Sequence, residues 1–118
     1  MNYDKNNIFA KILREEIPCK KIYENDNVLA FHDVKPQKKL HVLVIPKGEY
    51  VDLDDFNNKA SDKEIIELNK AITYVSNLIG AKDKGYRVLT NIGNDGGQEV
   101  PHLHFHIFAG ETIGKMVS

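Results

Sequence analysis

The chain has 118 residues, 42% of them apolar and 28% charged, a balance expected of a soluble globular protein whose length fits one domain, residues 1–118. Sixteen Lys and Arg against 17 Asp and Glu give a net charge of -1, which offers no electrostatic footprint for DNA, RNA or an anionic membrane. The single cysteine, Cys19, has no internal partner, no apolar run reaches the roughly 18 residues of a spanning helix, and Met1 to Asn7 lacks the apolar core of a signal peptide, so a reducing cytoplasm is expected.

Asn7 is placed to cap a short helix over Ile8 to Glu15, and Pro18 to stop it. Lys20 to Glu24 and Val28 to His32 read as two strands joined by the turn Asn25-Asp26-Asn27. After a loop at Asp33 to Gln37, the β-branched run His41 to Ile45 reads as a central strand buried on both faces and ended by Pro46 and Gly48. Tyr50 to Phe56 is acidic and mixed and suggests a turn of 3₁₀ helix or a loop, and Asn57 to Ala60 is polar. Ser61 and Glu64 have the spacing of a capping box. They open a long helix over Asp62 to Ile79, whose stripe Ile65, Leu68, Ile72, Val75 and Ile79 must face the sheet, and Gly80 closes it. Tyr86 to Asn91 reads as a further strand and Gly93 to Gly97 as a turn-rich loop whose three glycines can aim backbone amides at an anion.

In His102-Leu103-His104-Phe105-His106-Ile107-Phe108 the histidines alternate with apolar residues. In a strand the three imidazoles point one way and Leu103, Phe105 and Ile107 the other, with successive histidine Cα atoms roughly 6.6 Å apart. Such a face costs desolvation without stabilising the fold, so it reads as a site. Two chemistries suit it: zinc held by three neutral imidazoles, or one imidazole acting as nucleophile while its neighbours bind phosphate. Five strands and one long helix make an α+β domain built on an antiparallel meander, with a core over about residues 7–110 and a C-terminal tail, residues 111–118.

That order of elements and the histidine stretch resemble the histidine triad family. Further matches are Ile8 to Ile12, Glu16-Ile17-Pro18, Ala30 to Asp33, Pro36-Gln37, His41, Val44 to Lys47, Asn91 and Gly96-Gly97-Gln98. Within the family the chain is most similar to the Hint branch. The resemblance implies a homodimer with a continuous ten-stranded sheet that binds purine nucleotides and hydrolyses nucleoside phosphoramidates, with no cofactor and no catalytic metal. It implies that His104 is the nucleophile, held in one tautomer by the His102 carbonyl. His106 and His41 would then bind phosphate oxygens and donate a proton. Asn91, the Gly97 amide and the approach through Gln98 and Glu99 would hold the phosphate. Asp33 would take the ribose hydroxyls, and Ile8, Phe9, Ile12, Phe31, His32 and Val34 would line a purine slot.

The chain departs from the family's pattern in three places. Glu99 stands where several relatives carry a serine, which suggests a preference for cationic leaving groups. Asn7 to Ala10 lacks the Cys-x-x-Cys pair that holds zinc in some relatives. The tail from Glu111 differs from that of the better known members. A dinucleoside polyphosphate hydrolase similar to the Fhit branch and a non-catalytic nucleotide- or partner-binding module are the alternative readings.

Overall fold

The computed structural model describes residues 2–117; Met1 and Ser118, the ends of the expected domain and tail, lie outside the described residues. Asn7 accepts the Ala10 amide on its side chain at 2.9 Å and so caps α1 (Ile8–Leu13). The helix ends two residues before the expected Glu15, which adopts a left-handed φ of 63°. The Glu16 amide then reaches back to the Lys11 carbonyl at 2.9 Å, the closing bond of a Schellman turn. Pro18 is therefore not the stop.

β1 (Lys21–Glu24) and β2 (Val28–His32) form the expected hairpin, its turn held by the Asn25 side chain accepting from the Asn27 and Val28 amides. β3 (Leu40–Pro46) is central and runs one residue further at each end than expected, with Pro46 its last residue. Where a turn of 3₁₀ helix or a loop is expected over Tyr50 to Phe56 and only a polar stretch over Asn57 to Ala60, the chain forms the α-helix α2 (Leu53–Lys59), capped by Asp52, with Asp54 and Asp55 in its first turn and Lys59 in its last. Acid at the N-terminus and base at the C-terminus complement the helix dipole, and Lys59 also pairs with Asp55 one turn away at 2.7 Å. α3 (Asp62–Leu78) opens on the expected capping box, complete in both directions between Ser61 and Glu64.

β4 (Arg87–Leu89) is shorter than the expected Tyr86 to Asn91, and β5 is Phe105–Ala109 rather than a strand from His102. Residues 102 to 104 make other bonds: the His102 amide donates to the Val100 carbonyl and the Leu103 amide to the Tyr50 carbonyl, while Thr90 Oγ1 donates to the His104 carbonyl. The sheet is five-stranded and antiparallel throughout, as an α+β domain requires, in the order β1-β2-β3-β5-β4. The meander thus holds for β1 to β3 only. α3 carries the chain past the sheet to β4 at the edge, and β5 returns between β4 and β3.

The period of 2 in β2, β3 and β5 sorts the core onto two faces. Val28, Ala30, Val42, Val44, Leu103 and Ile107 pack under Leu68, Ala71, Ile72 and Val75 of α3. Full burial of a side chain such as Val75 contributes about 1.5–3 kcal/mol. Leu29, Phe31, Leu43 and Ile45 face the other way and meet Phe9 of α1. His41 shares that second face by alternation with Leu43, and His106 stands directly opposite Leu43 in the register of β3 and β5. No helix among the described residues is long and apolar enough to cross a membrane.

Candidate active site

The second face of the sheet opens into a cavity of about 240 Å³ lined by Phe9, Asp33, Gln37, Leu43, Asn91, Gly97, Glu99, Val100, His104 and His106. His41 stands behind His106, with ring centroids 5.1 Å apart, and Phe9 meets the His104 ring edge-on at 4.9 Å.

The proton on each ring follows from groups that can only donate or only accept. The Gln37 amide donates to Nδ1 of His41 at 3.1 Å, so the His41 proton is on Nε2. That proton goes to Nδ1 of His106 at 2.9 Å, and Asp33 Oδ2 lies 3.4 Å from Nε2 of His41 itself. His106 therefore keeps its own proton on Nε2. The Pro46 carbonyl accepts from Nε2 of His102 at 2.9 Å, and the Tyr3 hydroxyl reaches the remaining nitrogen of that ring. The His102 carbonyl accepts from Nδ1 of His104 at 2.7 Å, which leaves Nε2 of His104 without a proton. No buried side-chain nitrogen or oxygen among the described residues lacks a partner, so this unbonded Nε2 opens onto the cavity.

Burial pushes all four of these histidines below their ordinary value, and that of His102 and His106 to about 4. At His106 the neighbouring rings of His104 and His41 add to burial, whereas at His104 the His102 carbonyl, Asp33 and Glu99 work against it. The rings are neutral at pH 7, as an unprotonated nucleophile or a metal ligand requires.

Several expected site residues lie elsewhere or do something else. The His102 ring is fully buried with both nitrogens engaged, so three converging imidazoles for zinc do not exist, and only the backbone carbonyl of His102 reaches the site. The grouping whose ligand atoms lie within 4.8 Å of one another is instead Asp33, His41 and His106. The Gly97 amide, expected to face a phosphate, donates to the Asn94 carbonyl at 3.1 Å. Gln98 turns away from the cavity: its side chain donates to the Val51 and Val100 carbonyls and accepts from the Gly93 amide, tying down the loop.

The residues expected to wall a purine slot line more than one concavity. Phe9 lines the cavity and Phe31 backs it edge-on at 5.7 Å. His32 and Val34 line an adjoining depression of about 390 Å³, and Asp33 lines both it and the cavity. Ile12 lines a third hollow beside Cys19, and Ile8 is half exposed. Sequence reasoning did not single out Tyr3, the Gln37 amide, Thr90 or the Pro46 carbonyl. Three of these four act through backbone atoms or on the backbone, which leaves no side-chain signal to read.

The protein-family model described as HIT domain matches residues 14–113. An uncharacterised HIT-like protein of Azospirillum brasilense is 55% identical over 116 residues, covering 98% of this chain and 95% of the relative. The purine nucleoside phosphoramidase of Escherichia coli is 36% identical over 114 residues, covering 94% and 92%. The solved structure of a HIT family hydrolase from Clostridium thermocellum superposes with a TM-score of 0.88 at 35% identity, covering 98% of this chain and 99% of that one.

Proposed function

This chain belongs to the HIT domain family, the histidine triad proteins, and from that premise we propose that it is a purine nucleotide-binding hydrolase that cleaves the P–N bond of nucleoside 5′-phosphoramidates. The observation that carries the reading is the His104 ring: its Nδ1 proton is held by the His102 carbonyl, and its bare Nε2 faces the cavity. The activity named for the E. coli relative at 36% identity supports the same chemistry.

In the first step the Nε2 lone pair of His104 attacks phosphorus and the P–N bond breaks, giving a nucleotidyl-histidine and an amine that takes up one proton. A neutral His106 that gave away its only proton would become an imidazolate. The amine therefore draws its proton from solvent at the cavity mouth, and the Nε2–H of His106 serves as a hydrogen-bond donor to the phosphoryl oxygens. This narrows the role expected from the family, in which the cluster also supplies the proton. Asn91 holds a second oxygen. Water then attacks phosphorus and the P–Nε2 bond breaks, the water's proton passing to solvent to balance the one taken up by the amine, which releases nucleoside monophosphate and restores the ring.

Asp33 sits between the cavity and the His32 depression, where one carboxylate oxygen can accept from ribose while the other keeps its turn bond to the Lys35 amide. Glu99 at the cavity rim favours leaving amines that carry positive charge. The proposal includes a homodimer paired along β4, whose three residues form a sheet edge with Val88 exposed, because pairing there removes open backbone groups from solvent. Light scattering should return twice the mass of one chain. Rapid-quench turnover of an adenosine 5′-phosphoramidate, beside a diadenosine polyphosphate and AMP binding, tests the chemistry. A nucleotide recovered on His104 supports it, faster cleavage of the polyphosphate transfers the assignment to that substrate, and binding with no turnover of either refutes hydrolysis.

A further inference from the structure

Tyr3 lies 99 positions before His102, and its hydroxyl is 2.5 Å from Nδ1 of that ring. The phenol meets the imidazole edge-on, with centroids 5.6 Å apart at 73°. The His102 ring has no exposed surface, and its other nitrogen already donates to the Pro46 carbonyl. Nδ1 can therefore only accept, and Tyr3 is the donor.

We propose that Tyr3 is a positioning residue for the reaction above: by occupying the second nitrogen of the His102 ring it holds the His102 carbonyl against the Nδ1 proton of His104. The inference rests on the nucleophilic reading of His104. β5 begins only at Phe105, so no ladder bond fixes residue 102. The peptide that follows His102 is oriented on its far side by the Leu103 amide, which donates to the Tyr50 carbonyl at 2.8 Å. On its near side the peptide is carried by a ring bound at both nitrogens. Without the hydroxyl a buried acceptor is left unmatched, and the ring relieves this by rotating or by admitting water. Either movement shifts the carbonyl. Some His104 rings then carry their proton on Nε2 and cannot attack phosphorus.

Tyr3→Phe in the full chain keeps the edge-on ring and removes one oxygen. ¹⁵N spectra of the histidine rings should show His104 as a single Nδ1–H tautomer in the parent and as a mixture in Tyr3→Phe. With adenosine 5′-phosphoramidate, kcat should fall about tenfold while AMP affinity stays within about twofold. Tyr3→Ala, which also loses the ring contact, should lose at least as much. If Tyr3→Phe lowers the melting temperature but leaves the His104 tautomer and kcat at parental values, Tyr3 is only an N-terminal clasp and the inference is wrong. A parent that never forms nucleotidyl-His104 sinks the proposed function instead, because the spectra report the tautomer without any turnover.

Discussion

Nε2 of His41 donates to Nδ1 of His106 across 2.9 Å, and the direction of that bond is set four residues upstream of His41, where the Gln37 amide occupies the ring's other nitrogen. One backbone N–H thus decides which nitrogen of His106 carries the proton that faces the cavity. The same bond bears on metal binding. A cation held by Asp33, His41 and His106 must displace the shared proton and, to use Nε2 of His41, break the Gln37 bond.

Turnover is therefore expected to survive exhaustive chelation unchanged. Added zinc should inhibit, and Asp33→Asn should weaken that inhibition by removing the charged ligand. Activity that vanishes on chelation and returns only with zinc would overturn the proton assignment.

Acid should destabilise the fold over a defined window. An unfolded histidine titrates near 6.5, whereas burial holds His102 and His106 near 4. Between these values the unfolded chain binds more protons than the folded one, so the stability these two rings confer is complete above pH 6.5 and is lost as pH drops toward 4, below which carboxylates held low by their partners, such as Glu24 beside Lys21 and Lys47, carry the fall further. The deeply buried His102 alone contributes on the order of 3 kcal/mol to that fall. Urea midpoints measured at steps from pH 7.5 to 4 check it. A flat profile across the window would show that the rings are protonated in the folded state.

How legible each part was depended on whether its signal lay in side-chain periodicity. α3 declared itself through the Ser61–Glu64 box and a stripe of which Leu68, Ile72 and Val75 are buried. α2 has only Phe56 fully buried and so offers no stripe, although the Asp52 cap and its charge gradient were present to be read. The alternation of histidines correctly separated Leu103 and Ile107 from the site. It could not reveal that pairing starts at Phe105, because the bonds that hold His102 and Leu103 come from Val100 and Tyr50. Ile8 and Val34 are exposed, His32 lines the hollow beside Asp33 and Ile12 the one beside Cys19, positions that strand and helix periodicity alone do not give.

The overlooked helix gives a test of its own. Asp52 accepts the Asp55 amide at 2.9 Å, and Asp55 in turn accepts the Val51 amide. Asp52→Ala should cost about 1 kcal/mol of stability, the usual loss for an N-cap. Asp52→Asn, which can still accept, should recover most of it. Equal losses in the two variants, read from thermal melts, would mean that charge and not capping holds the helix start.

His104 carries the largest share of the proposed mechanism, and the prediction for it separates chemistry from binding. Removing its ring leaves Asp33, Asn91, His106 and Phe9 around the cavity, so His104→Ala and His104→Asn should bind AMP within about tenfold, or 1.4 kcal/mol, of the parent. Turnover should fall by many orders of magnitude, because two steps through an intermediate are replaced by direct attack of water. His106 changes should cost less, since that ring donates a hydrogen bond and forms no bond to phosphorus. His102→Ala should cost less than His104→Ala but at least as much as Tyr3→Phe, because the carbonyl itself survives while both ring bonds that position it, to Tyr3 and Pro46, are lost. Calorimetric AMP affinities beside single-turnover rates measure the two quantities separately. If His104→Ala keeps more than a few per cent of the parental rate, the bare Nε2 is not the nucleophile, and the cavity is then a nucleotide-binding site whose hydrolysis, if any, runs through water.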